Sequence, residues 1–185
     1  MISRILEPIA NRRSVLAFNS QIISDESINL IFEAARWAPS SYNEQPWRFY
    51  YASRSNPEAF NKILSSLAPG NAEWAKDSSL LIITVAKKHL TINGKENTYS
   101  MHDTGMATAN LLIQAQALGL VSHVMGGFNK SVANELLNLS DEFIPLTVVA
   151  IGQQGDIAEL SDSNRTRENA PRQRKQKEEI AIELK

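Results

Sequence analysis

The 185-residue chain contains no cysteine, which excludes a disulfide framework, a thiolate nucleophile and a thiolate-ligated metal centre. Its glycines are few, and none falls into Gly-x-Gly-x-x-Gly or a Walker loop, so two common nucleotide-binding signatures are missing. Long apolar runs are also missing: stretches such as Leu80 to Ala86 are far too short to span a bilayer. Neither charge sign dominates. Nineteen basic against twenty acidic side chains leave a net charge of −1, which argues against a protein that coats nucleic acid or an anionic membrane. The start, Met1 to Pro8, lacks the apolar run of a signal peptide, so a soluble cytoplasmic protein is the expectation. His89, His102 and His123 are scattered without metal-ligand spacing, and no Ser–His–acid arrangement suggests itself.

What is present suits one sizeable core: 43% of residues are hydrophobic and 21% charged, with no repeats and no low-complexity linker, so residues 1–185 are expected to form a single domain. An N-terminal helix is expected from about Ile2 to Asn11. Ser24 can cap a helix whose first turn holds Asp25 and Glu26, with Ile28, Ile31, Phe32 and Ala35 on one face and Pro39 as its bound. Asn56-Pro57-Glu58 signals a second start, with Phe60, Ile63, Leu64 and Leu67 as the buried stripe and Pro69-Gly70 as the stop. Strands are expected over Arg48–Ala52, Leu80–Ala86, Ser122–Met125 and Thr147–Gly152. The nearly continuous apolar runs Leu80 to Ala86 and Leu146 to Ile151 suit strands covered on both faces. From Thr104 to Gly119 apolar residues cover almost the whole circumference of a helix, which places it centrally or in a large interface, with Gly119 as its C′ residue. The element order suggests a layered α/β arrangement, but it does not reveal strand order.

Three segments, with two smaller features, mix charge, amides and stiff backbone. Arg12-Arg13-Ser14 could grip a phosphate bidentately, or could simply be a solvated pair at a helix end. Pro39-Ser40-Ser41-Tyr42-Asn43-Glu44-Gln45-Pro46-Trp47 offers hydroxyls and amides on a proline-stiffened loop, suited to a polar uncharged heterocycle edge or to plain turn formation. Trp47 itself reads as core. Arg172 and Arg174 lie in a basic stretch diluted by Glu168, Glu178 and Glu179, with no aromatic interleaving for base stacking. Gly126-Gly127 after a strand allows backbone N–H groups to approach a planar ring, or is an ordinary turn. Asp103 beside His102 reads as a complement to the helix dipole rather than as an acid–base group.

In order, and over nearly the whole chain, these segments resemble the nitroreductase-like flavoproteins. The resemblance implies an α/β (α+β) three-layer sandwich, a mostly antiparallel central sheet flanked by helices, in a homodimer that holds FMN at its interface. It implies that Arg12, Arg13, Ser14, Arg172 and Arg174 serve the FMN phosphate and pyrimidine side. Asn71 would meet the pyrimidine end, and Met125, Gly126 and Gly127 would direct backbone donors at flavin N5. Pro39, Ser40, Ser41 and Asn43 would reach the neighbouring subunit's flavin, with Gln45 supporting that loop. Leu16 and Trp74 stand where the family often has a basic residue and a lysine, and the usual acidic side chain near Gly126 is absent. Tyr42, Trp74 and Tyr99 are candidates for the pocket wall. The implied activity is an NAD(P)H-dependent, ping-pong reduction of nitroaromatics, quinones or similar acceptors, with no catalytic side chain and no metal. An enal, semialdehyde or dehydrogenation substrate is the alternative within enzymes, and an FMN storage or sensing module is the alternative outside them.

Overall fold

The computed structural model describes residues 5–184, so the expected helix from Ile2 lies partly outside the described residues. In chain order the elements are α1 (Glu7–Asn11), β1 (Phe18–Asn19), α2 (Asp25–Arg36), β2 (Trp47–Ser53), α3 (Pro57–Leu64), α4 (Pro69–Ala75) and β3 (Leu80–Lys87). There follow α5 (Ser100–Ala117), β4 (Val121–Met125), α6 (Lys130–Leu137), β5 (Phe143–Gln154), α7 (Asp162–Glu168) and α8 (Lys177–Ile180). Local chemistry explains the helix starts. The Ser24 hydroxyl accepts from Ser27 N–H, and the Asn56 amide oxygen accepts from Ala59 N–H ahead of a proline in the first turn. Gly119 adopts φ +75° just after α5, the left-handed conformation that ends helices at little cost to glycine.

Pro69-Gly70 does not close a helix, as the sequence suggested, but opens one. α3 ends at Leu64, and Pro69 stands in the first turn of α4, where its missing N–H has no helical partner to lose. β5 begins at Phe143 rather than Thr147, because Pro145 falls at a register shift opposite Val85, where its missing N–H breaks no regular ladder.

The sheet is antiparallel throughout. β3 and β5 form its centre, β2 pairs with the free side of β3, β4 pairs with the other side of β5, and β1 pairs with the last residues of β5. Continuous apolar strands in an antiparallel sheet need helices on both faces, and this sheet has them. Leu81, Ile83 and Val85 point into a core shared with α3, α4 and the Val15–Phe18 segment. Leu80 and Ile82 point the other way, into a core shared with α2 and α5. α5 buries Ala107, Leu111 and Ala115 against the sheet and bonds to α2 through Asn110, whose amide donates to Ala34 O at 3.2 Å. Its opposite side leaves Met101, Gly105 and Ala109 exposed. The result is a three-layer α+β sandwich, as the family resemblance implied.

α7 is tied to the N-terminal segment by one buried carboxylate. Glu168, 3% exposed, accepts from Leu16 N–H at 2.5 Å and pairs with Arg13 at 3.2 Å, while Arg13 also donates to the Glu168 carbonyl. Glu168→Ala leaves the buried Leu16 N–H without a partner and should cost about 1–3 kcal/mol. Arg13→Ala leaves the buried Glu168 carboxylate without its counter-ion and should cost more, about 3–5 kcal/mol. Denaturant unfolding checks the ranking. Equal or inverted losses would contradict this account of α7.

Candidate cofactor site

Arg12 caps α1 at its C-terminal end, and its guanidinium is partly buried beside Arg172 and Arg174. Burial, and then the fields of Arg172 and Arg174, lower its basicity. Arg172 donates to Ala10 O at 2.8 Å, which folds the C-terminal stretch back onto α1. No ion pair among the described residues involves Arg12, Arg172 or Arg174. Guanidiniums crowded together without a carboxylate repel one another and favour a multiply charged anion between them. Arg13 does not join them, since its guanidinium is engaged by Glu168. Ser14 is exposed next to this cluster and forms a parallel bridge to Ser122, which sets the Arg12–Ser14 segment beside β4.

At the other end of β4, two further predicted segments meet. Asn71 donates its amide to Gly127 O at 2.9 Å, and Ala68 N–H donates to the same oxygen at 3.0 Å. A Cβ on Gly127 would lie 2.8 Å from the Asn71 amide nitrogen, so a side chain there would push that amide out of its bond. Around Gly126 the space is open. Met125 is buried in the core, which leaves only its backbone to face a ligand.

Leu16 and Trp74 are core residues here, Trp74 being only 2% exposed, so Trp74 does not wall a pocket. Trp74 lies against His123 with ring centroids 4.6 Å apart and against Phe18 at 6.1 Å. His123 is a neighbour that the scattered histidines of the sequence gave no reason to single out. Its Nδ1 lies 2.8 Å from Val15 O, and because a carbonyl only accepts, Nδ1 carries the proton. Burial is the main cause of its lowered pKa, with Arg167 and Arg12 adding repulsion against the opposing pull of Glu168 and the Val15 bond.

The Pro39–Trp47 loop stands on the far edge of the sheet, between α2 and β2. Tyr42 (φ 54°), Asn43 (φ 53°) and Gln45 (φ 48°) are all left-handed without being glycine. The Ser40 hydroxyl accepts from Gln45 N–H at 3.0 Å and Gln45 donates to Asn43 O at 3.3 Å, consistent with Gln45 as a support for the loop. Ser41 N–H donates to Asp103 at the start of α5 at 3.0 Å, and Glu44 accepts from Thr91 N–H at 2.7 Å. Tyr42 (88% exposed) and Tyr99 are open to solvent, while Trp47 is core, as expected. Between this loop on the β2 edge and the Arg12 and Gly126 groups on the β4 edge lie three inter-strand spacings, roughly 14 Å. Within one chain the predicted residues therefore fall into two groups on opposite edges of the sheet.

The α+β sandwich thus carries on one sheet edge arginines that have no ion-pair partner among the described residues, and on the other a left-handed, amide-rich loop. Its family is identified by comparison: the Nitroreductase family model matches residues 9–153, and the chain belongs to that family. A relative from Archaeoglobus fulgidus, named "Putative NADH dehydrogenase/NAD(P)H nitroreductase", is 31% identical over 157 residues, spanning 82% of this chain and 86% of the relative. A crystal structure described as an oxidoreductase containing FMN superposes with a TM-score of 0.92 at 34% identity, covering 98% of this chain and 92% of the other. A nitroreductase-type structure from Desulfovibrio desulfuricans, in complex with FMN, shares the fold with a TM-score of 0.74 at 24% identity, over 98% of this chain and 97% of that one.

The His123 environment gives a pH prediction. With its folded pKa depressed below the ordinary 6.5, the native state binds fewer protons than the unfolded chain, so the penalty is absent above that value. It should build as pH falls below about 6.5 towards the depressed folded value. Thermal unfolding followed from about pH 7.5 to about pH 5 should fall more steeply for the native chain than for His123→Gln. Parallel curves would contradict a neutral, protonation-resistant His123.

Proposed function

We propose that this protein is an FMN-dependent oxidoreductase that takes reducing equivalents from NAD(P)H and delivers them to a nitroaromatic, a quinone or a similar small acceptor. The observation that carries the reading is the cluster of Arg12, Arg172 and Arg174, without an ion-pair partner among the described residues, whose donor chemistry fits a phosphate dianion. Bound FMN supplies the hydride chemistry; the protein supplies placement and electrostatics. Arg12, Arg172, Arg174 and the Ser14 hydroxyl hold the phosphate end. Asn71 braces the Gly126–Gly127 turn so that its backbone can approach the flat ring without a side chain intervening. With FMN held there, NAD(P)H and the acceptor would exchange with it in turn, a ping-pong scheme that asks no titrating side chain of the protein. Leu16 and Trp74, both in the core, leave the site without the two basic side chains of many relatives, which is the feature that favours an FMN storage or sensing role as the second reading.

The working unit in this proposal is a cytoplasmic homodimer, each site combining the Arg12 edge of one chain with the Ser40–Asn43 loop of the other. Support comes from the separation of the two edges within one chain. Apolar groups left uncovered on α5 (Met101, Ala109), α1 (Ile9) and the C-terminal stretch (Leu184) add to it. An interface that covers them should exceed about 2,000 Å², as in obligate pairs.

The protein should purify yellow, with about one FMN per chain as one phosphate site per chain requires. NADH or NADPH should bleach the colour under anaerobic conditions, and a nitroaromatic or quinone should restore it. Arg12→Ala or Arg174→Ala should weaken FMN binding roughly ten- to hundredfold, since a charge-assisted contact is worth about 1.5–3 kcal/mol. Colour without bleaching would favour the storage module. FMN binding unchanged in both variants would mean that the phosphate lies elsewhere.

A further inference from the structure

We propose that Asp103 is the positioning residue of the Ser40–Gln45 loop: its buried carboxylate holds the loop in the left-handed form that, on the reading above, meets the partner subunit's cofactor. Asp103 is 2% exposed and has no Lys or Arg partner among the described residues. One carboxylate oxygen accepts from Ser41 N–H at 3.0 Å, and the other faces His102 Nδ1 at 3.2 Å. An aspartate in the first turn of α5 complements the helix dipole equally well when it points to solvent. The dipole therefore explains why a negative charge is tolerated there, but not why it is buried and directed at a loop 62 residues away in sequence. Burying a carboxylate is costly unless it satisfies a specific donor.

The loop needs such a holder. Tyr42, Asn43 and Gln45 adopt left-handed conformations that non-glycine residues leave unless their surroundings hold them. The Ser40 hydroxyl and the turn bonds Asn43 N–H to Ser40 O and Glu44 N–H to Ser41 O lie within the loop and would be lost with it. Anchors from outside are Thr91, which bonds the solvent-accessible Glu44, the exposed Arg48, which donates to Gln45 O at 3.2 Å, and Asp103, which alone of the three is buried. Asp103 thus couples the start of the central helix α5 to the position of Ser40, Ser41 and Asn43.

Two substitutions separate geometry from charge. Asp103→Asn keeps an acceptor oxygen at the same reach and removes the charge. Asp103→Glu keeps the charge and displaces the oxygen by a methylene. If Asp103 positions the loop, amide hydrogen exchange at residues 41–45 should stay near native in Asp103→Asn and rise about tenfold or more in Asp103→Glu. In flavin-loaded protein, kcat/KM for a nitroaromatic acceptor should follow the same order, falling roughly ten- to hundredfold in Asp103→Glu, as for a misplaced site group. His102→Ala, which removes only the second partner, should leave loop exchange near native. The inference is overturned if Asp103→Asn loosens the loop, if Asp103→Glu does not, or if exchange rises with no change in acceptor kinetics. Loop exchange is read without flavin, so a native protein that failed to bind FMN would sink the proposed function and leave this test standing.

Discussion

The distance across the central sheet is the constraint on which the rest depends. β3 and β5 are sealed between two apolar layers, so β2 and β4 cannot approach each other without taking the core apart. The loop before β2 and the turn after β4 are therefore held apart by the most stable part of the molecule. Both carry features that are expensive to maintain. On one edge arginines repel one another without an ion-pair partner among the described residues, and on the other non-glycine residues occupy left-handed backbone. Features of this kind persist at positions that serve a ligand rather than the fold. The arginines and the left-handed loop lie on opposite edges of the sheet, which is why the functional proposal rests on two chains.

Arg12 and Arg13 show how adjacent, chemically identical side chains acquire opposite roles. Arg13 meets the buried Glu168 carboxylate and becomes part of the clasp that joins α7 to the N-terminal segment. Arg12, one residue earlier, lies in the repulsive field of Arg172 and Arg174 and has no ion-pair partner among the described residues. The first arrangement stores stability in an ion pair. The second leaves positive potential uncompensated among the described residues, where the functional proposal puts the FMN phosphate. Asp103 and Glu168 make a parallel contrast among the acids: each is buried and each accepts from a distant backbone N–H, but only Glu168 has an arginine beside it.

Elements governed by local chemistry were legible in the sequence. The caps Ser24 and Asn56, the apolar run of β3 and the glycine after α5 each act within a few residues, and each lies where expected. Pro69-Gly70 was misread because the same pair can end one helix or begin the next, and only the position of α4 against the sheet decides. The family resemblance pointed to Arg12, Asn71, Gly127 and Arg174. Local sequence could not, because their neighbours come from distant parts of the chain: Arg172 bonds across 162 positions and Asn71 across 56. The same holds for the engagement of Arg13 and for the burial of Asp103. A carboxylate that serves an N–H far along the chain looks, in sequence, like any solvated acid.

The most direct test of the central claim, that each active site joins opposite sheet edges of two chains, is activity in mixed dimers. One chain carries Arg12→Ala and the other a disrupted Ser40–Asn43 loop, each assayed at limiting FMN where it is inactive alone, and the two are unfolded and reassembled together. Shared sites predict that activity returns, because one site of each mixed pair collects both lesions and the other is intact. No recovery in verified mixed dimers, or full flavin binding and turnover by a monomer at high dilution, would contradict the account.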